Sequence, residues 1–175
     1  MKHTLISLLA TLSLAGAALA GQTPDHKDLV FTDKHGVALE GYDPVAYFTD
    51  GKPAKGDPRF EAKYQGATYR FASQDHRDTF EKNPATYVPA YGGFCGYAAS
   101  IGKVRPADPR IWSIVDGALI VQNTKGAAEL WNKDVAGNKA KADKYWPRLV
   151  EAKAGQKHPI DGLFGKSVLD LANTH

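Results

Sequence analysis

Two short runs of alternating aromatic and polar residues, Phe60–Tyr64 and Thr68–Phe71, meet at Gln65-Gly66-Ala67. Such a stretch folds back on itself. Alternation puts the apolar side chains on one face of a strand, and glycine supplies the backbone freedom of a tight turn. A second hairpin is predicted over Ile111–Val121, turning at Asp116-Gly117, a pair that favours the type I′ turn because both residues accept positive φ. Ser73 follows the first hairpin as a helix N-cap, with Asp75 in the first turn, where the helix dipole favours a carboxylate. That helix runs to about Lys82 and ends at Asn83-Pro84, with His76 and Phe80 on one face. Further helices are predicted from about Lys125 to Lys133, carrying Trp131, and from about Asn138 to Val150, with Pro147 as a kink or an end. Two hairpins with separate short helices make a small α+β domain. No internal repeat and no low-complexity linker is read.

The first twenty residues read as a leader. Lys2 and His3 precede the apolar run Leu5–Leu12, and Ala18-Leu19-Ala20 is the small-x-small pattern of signal-peptide cleavage. The expectation is a protein exported to the periplasm and cleaved after Ala20, with no lipid anchor and no stable membrane insertion. Residues 21–36 form an irregular arm, residues 37–150 the domain, and residues 151–175 a tail with a short capping helix. Pro44 biases Asp43 toward a turn, and the proline- and glycine-containing stretches Gly51–Arg59 and Gly102–Arg110 are loops. Charge is near balance, 22 Lys and Arg against 19 Asp and Glu, without a concentrated basic face, so nucleic acid is not an expected partner.

The chemistry centres on Tyr91-Gly92-Gly93-Phe94-Cys95-Gly96-Tyr97, which holds the chain's one cysteine. An exported protein with a single thiol has no intramolecular disulfide, no CxxC redox pair and no four-cysteine zinc site. The one methionine is Met1. A mature chain without thioethers excludes methionine-rich copper sites. Cys95 can be a metal ligand, a reactive thiol or a small buried hydrophobe. His76 can be a second ligand or a solvated helix residue, and His26, His35, His158 and His175 fall in loops or tails.

The run Tyr64–Ser73 followed by Phe80-Glu81-Lys82-Asn83-Pro84-Ala85-Thr86-Tyr87 resembles the YHS domain. With Gly41-Tyr42-Asp43-Pro44-Val45-Ala46-Tyr47-Phe48, Tyr91–Cys95 and Asp108-Pro109, the chain is similar to exported bacterial YHS domain-containing proteins over about Gly41 to Trp146. The resemblance implies a metal site built on two cysteines near the hairpin and helix start. Those positions here are Ala72 and His76. It also implies a functional cysteine in the Tyr-Gly-Gly-aromatic-Cys motif, which is Cys95.

The expected function is therefore transition-metal binding for metal handling, copper first and zinc second. Cys95 is the key ligand, His76 the second, and Asp75 and Asp43 the carboxylates beside them. The partners expected are the metal ion and a second periplasmic protein. An enzyme is not expected. The enzymatic alternative is a thiol-redox protein in which His76 activates Cys95. The remaining alternative is a binding module with a pocket walled by Tyr42, Tyr47, Tyr91, Phe94 and Tyr97, residues that serve equally well as core.

Overall fold

The computed structural model describes residues 29–154. The expected leader, the first part of the arm and the tail from residue 155, with His26, His158 and His175, lie outside the described residues. A 3-10 turn at Leu39–Gly41 leads into α1 (Ala46–Thr49), and a loop connects it to β1 (Asp57–Tyr64) and β2 (Ala67–Phe71). Then come α2 (Gln74–Lys82), α3 (Pro84–Tyr87) and a second 3-10 turn at Ala90–Gly93. The chain continues through α4 (Gly96–Ser100), β3 (Asp108–Val115), β4 (Ala118–Gln122), α5 (Lys125–Asn132) and α6 (Val135–Ala154). The strands form two antiparallel two-stranded sheets, so the α+β reading holds.

Local chemistry accounts for most of these elements. Both hairpins turn on two residues of positive φ, Gln65-Gly66 (49° and 76°) and Asp116-Gly117 (51° and 76°), the geometry that matches strand twist. Ser73 caps α2 and Thr124 caps α5, their side chains accepting the N–H groups of His76 and Ala127. Pro84 occupies the first turn of α3, where its missing N–H costs nothing. The last helix begins at Val135, earlier than the sequence predicts, because Asp134 accepts the Gly137 N–H at 2.9 Å and caps it. It continues through Pro147 to Ala154.

The structure also corrects the expectation that the chain has no internal repeat. Strand pairs Glu61↔Arg70, Ala62↔Tyr69, Lys63↔Thr68 and Tyr64↔Ala67 recur 51 residues later as Trp112↔Val121, Ser113↔Ile120, Ile114↔Leu119 and Val115↔Ala118. The register shift recurs too, after Asp57 in one hairpin and Asp108 in the other. Each of these aspartates accepts the backbone N–H of its own Arg, Arg59 or Arg110, at 2.9 Å. Upstream, Leu39, Glu40 and Gly41 (φ 51°, 50° and 77°) correspond to Tyr91, Gly92 and Gly93 (φ 53°, 58° and 79°). The backbone bond Asp43 N–H to Ala54 O at 2.9 Å corresponds to Cys95 N–H to Arg105 O at 3.0 Å. Residues 39–82 and 91–132 are thus two copies of one unit: turn, short helix, hairpin, capped helix.

The core falls into three clusters. Val45, Tyr69, Phe71 and Phe80 fill the first copy, and Cys95, Leu119, Val121 and Ala127 belong to a cluster shared with Leu39 and Tyr47. Tyr91, Ile120, Trp131 and Ala142 join the second copy to α6. Gly92 fastens the N-terminal segment, since its carbonyl accepts the Phe31 N–H at 2.8 Å. A Cβ at Gly92 would run into the Leu29 carbonyl, so only glycine fits that approach.

Candidate functional site

Asp43 stands just before α1, and Pro44 holds it outside the helix. Its side chain is fully buried. One carboxylate oxygen accepts the N–H groups of Val45 and Ala46 at 2.8 and 3.3 Å. The other accepts the Ala72 N–H at 2.8 Å and lies 2.6 Å from His76 Nδ1. A buried carboxylate is tolerated when donors saturate it, and here one cap, one hairpin end and one imidazole supply them.

Every neighbour of that carboxylate is a donor, so His76 Nδ1 carries the hydrogen and donates it. The ring is thereby fixed, with its tautomer set, and Nε2 points to the surface with the side chain 19% exposed. Beside Nε2 lie Thr49 Oγ1 at 3.4 Å and Asp50 Oδ1 at 3.7 Å. Thr49 Oγ1 itself is 2.7 Å from Asp50 Oδ1 and donates to it, which orients the carboxylate. A histidine held by a buried carboxylate, with its other nitrogen next to a second carboxylate, has donors of the kind a cation could use. Thr49 and Asp50 were not among the sequence candidates. Asp50-Gly51 reads as a loop dipeptide, and only the packing of α1 against the start of α2 makes it part of a site.

Cys95 lies elsewhere in the contact network. It is 1% exposed and caps α4, where its Sγ accepts the Ala98 N–H at 3.5 Å. The thiol donates to Gln122 Oε1 at 3.2 Å, with Asn123 Oδ1 at 3.6 Å. Burial pushes the thiol up from its ordinary range, against the lowering effect of nearby backbone N–H groups. None of its partners is a partner of His76 among the described residues. Neither the Cys95–His76 ligand pair nor activation of Cys95 by His76 is built here, because a fully buried carboxylate already holds the imidazole and a strand amide already holds the thiol.

The other candidates separate in the same way. Asp75 is exposed in the first turn of α2. The expected aromatic pocket is core: Tyr47 donates to the Pro109 carbonyl at 2.9 Å and packs edge-on against Trp112. Tyr91 donates to Asp143, Phe94 packs against Phe31 and Trp146, and Tyr97 is half-buried between two clusters. Tyr42 lies under the Lys55 ammonium at 4.0 Å. Among the described residues no three His, Cys, Asp or Glu side chains are grouped to hold a metal ion. The described residues therefore do not by themselves form a closed metal centre of three or four protein ligands.

Residues 45–91 match the family model described as the YHS domain, a span that begins just before α1 and ends in the second 3-10 turn, where the second copy starts. The family is associated with metal binding, and the match contains His76 and Asp50 but not Cys95. No curated protein and no solved structure matches the chain.

Proposed function

We propose that the protein handles a transition-metal ion as cargo, copper(II) before zinc(II), held loosely at His76 Nε2 and the Asp50 carboxylate. The observation that carries this reading is the 2.6 Å contact between His76 Nδ1 and the fully buried Asp43. A carboxylate behind a histidine fixes its orientation and raises its basicity, which is what metal-ligating histidines require. An imidazole nitrogen with one carboxylate oxygen suits divalent copper best on the usual affinity order, with zinc below it. Two side chains leave coordination positions open to water or to a partner's ligands, which favours exchange over storage. The role we propose is binding rather than catalysis, carried out in the periplasm, where a second protein would give or receive the ion; the leader-like pattern of the first twenty residues supports that location.

Copper(II) titrated into the protein, followed by native mass spectrometry and calorimetry, is expected to give one ion per chain. His76→Ala should abolish that binding. Asp43→Asn should weaken it by roughly 10- to 100-fold, the usual effect of removing a carboxylate behind a metal-bound histidine. Cys95→Ser should leave it unchanged. Binding that survives His76→Ala and disappears with Cys95→Ser would return the site to the thiol and refute this assignment.

A further inference from the structure

The Cys95 sulfur sits where the first copy holds a carboxylate. Asp43 stands at the start of α1 and accepts N–H groups from Val45 and Ala46, and from Ala72 at the end of the hairpin. Cys95 stands at the start of α4 after the same run of three positive-φ residues. The Ala98 N–H meets its Sγ at 3.5 Å, and the backbone N–H groups of Tyr97 and Asn123 also face the sulfur. Tyr97, Ala98 and Asn123 are the counterparts of Val45, Ala46 and Ala72. Three backbone donors therefore converge on a thiol, where their counterparts hold an anion.

The fourth donor to Asp43 is the His76 ring. Ala127 stands at that place in the second copy, since His76 and Ala127 are each the residue whose N–H the helix cap accepts. The second copy has a different fourth donor. Gln122 stands where the first copy has Phe71, and it is 2% exposed. Its Oε1 accepts the Cys95 thiol at 3.2 Å and the Tyr97 N–H at 3.0 Å. Its Nε2 lies against the residue after the cysteine, 3.3 Å from the place a Cβ on Gly96 would take, and has no hydrogen-bond partner. A buried amide donor left over is costly and calls for an acceptor. A thiol is too weak an acceptor to fill that need, and an oxygen anion on the sulfur would fill it.

We propose that Cys95 is a modification site oxidised by peroxide, and that the cradle holds its sulfinate, the sulfur analogue of the aspartate side chain, as the first copy holds the Asp43 carboxylate. The step balances with two equivalents of hydrogen peroxide. The thiolate sulfur attacks one peroxide oxygen, the O–O bond breaks, and the departing hydroxide leaves as water with the thiol proton, giving the sulfenic acid. A second peroxide adds the second oxygen in the same way, and the sulfinic acid loses its proton to water. The sulfur then no longer donates, so the Gln122 amide turns and gives Nε2 to one sulfinate oxygen. The Tyr97 N–H passes from Gln122 to the anion, as the Val45 N–H binds Asp43. Four N–H groups serve two oxygens, and none is left for a third. Burial makes the reaction slow, and opening of α4 from β4 beside the exposed Asn123 admits the oxidant. The donors that close over the sulfur set the product.

The full chain is treated with hydrogen peroxide in the presence of a chelator, so that no metal at His76 takes part, and Cys95 is read by intact mass and peptide mapping. The folded chain is expected to gain two oxygen atoms there and stop, keeping the reduced chain's circular dichroism. The same chain oxidised in urea should go on to three. Three oxygens in the folded chain as readily as in the unfolded one, arrest at one oxygen or none, or unfolding on oxidation overturns the assignment. A second comparison needs no oxidant. Cys95→Asp places a carboxylate in the cradle directly. Gln122→Leu is expected to raise the unfolding constant about tenfold more in the Cys95→Asp chain than in the parent, the worth of one charge-assisted hydrogen bond. An equal or smaller effect overturns the anion-holding role of Gln122.

Discussion

Asp43→Ala is expected to lower the unfolding free energy by about 3–5 kcal/mol, the loss typical of breaking a buried charge-assisted network from one side. The side chain is fully buried and serves four partners: the N–H groups of Val45, Ala46 and Ala72, and the His76 ring. Alanine leaves all four without their acceptor. Three are backbone donors at places where the chain changes direction, so the start of α1 and the exit of β2 should loosen together. Asp43→Asn separates charge from shape. Its carbonyl can still serve Val45 and Ala46, but its amide would meet the Ala72 N–H donor against donor and could hold His76 Nδ1 only in the other tautomer, with the hydrogen on Nε2. Asn should therefore retain only part of the stability. Urea unfolding followed by circular dichroism checks both variants, and a loss below about 1 kcal/mol for Asp43→Ala would mean the carboxylate is not the keystone of this corner.

Trp131→Ala is the second large effect, expected at about 3–5 kcal/mol for deleting a buried aromatic residue. Trp131 is 1% exposed and joins Tyr91, Ile120 and Ala142 between the second copy and α6. The repeat refines this expectation. Trp131 is the counterpart of Phe80, and its indole Nε1 is buried without a hydrogen-bond partner. Trp131→Phe keeps an aromatic ring and removes the unpartnered donor, so the smaller cavity is partly offset. It should cost less than half of what alanine costs. Equal losses for the two variants would show that the indole's size, rather than the presence of a ring, holds α6.

Much of the fold is legible locally. The hairpins, the Ser73 cap and the type I′ turn at Asp116-Gly117 are set by residues adjacent in sequence, and all are found where the pattern puts them. The duplication is present in the sequence only as sparse punctuation: Asp57-Pro58-Arg59 and Asp108-Pro109-Arg110, Gly66 and Gly117, Ser73 and Thr124. Between those marks the side chains have diverged in kind, from Phe71 to Gln122 and from His76 to Ala127, so similarity of residues does not reveal it. The site is legible in part. His76 and Asp43 are visible as chemistry-bearing residues, but that one is buried behind the other depends on α1 meeting the end of β2. Cys95 attracts attention because it is alone, but its thiol is buried against Gln122 in β4, a partner that spacing along the chain does not disclose.

The Cys95 thiol, buried and bonded to Gln122, has a use unrelated to metals. It is the one thiol in the chain, so any thiol reagent reports on a single place. A reagent can reach that sulfur only when α4 and β4 part, and labelling at neutral pH should be slow and proportional to the population of the opened form. The rate of modification then serves as an internal clock for the second copy. Read against denaturant, it tells whether that copy opens by itself or only when the whole chain unfolds. A labelling curve parallel to the circular-dichroism transition means one cooperative unit, and labelling that runs ahead of it means that the halves of the duplication still come apart separately.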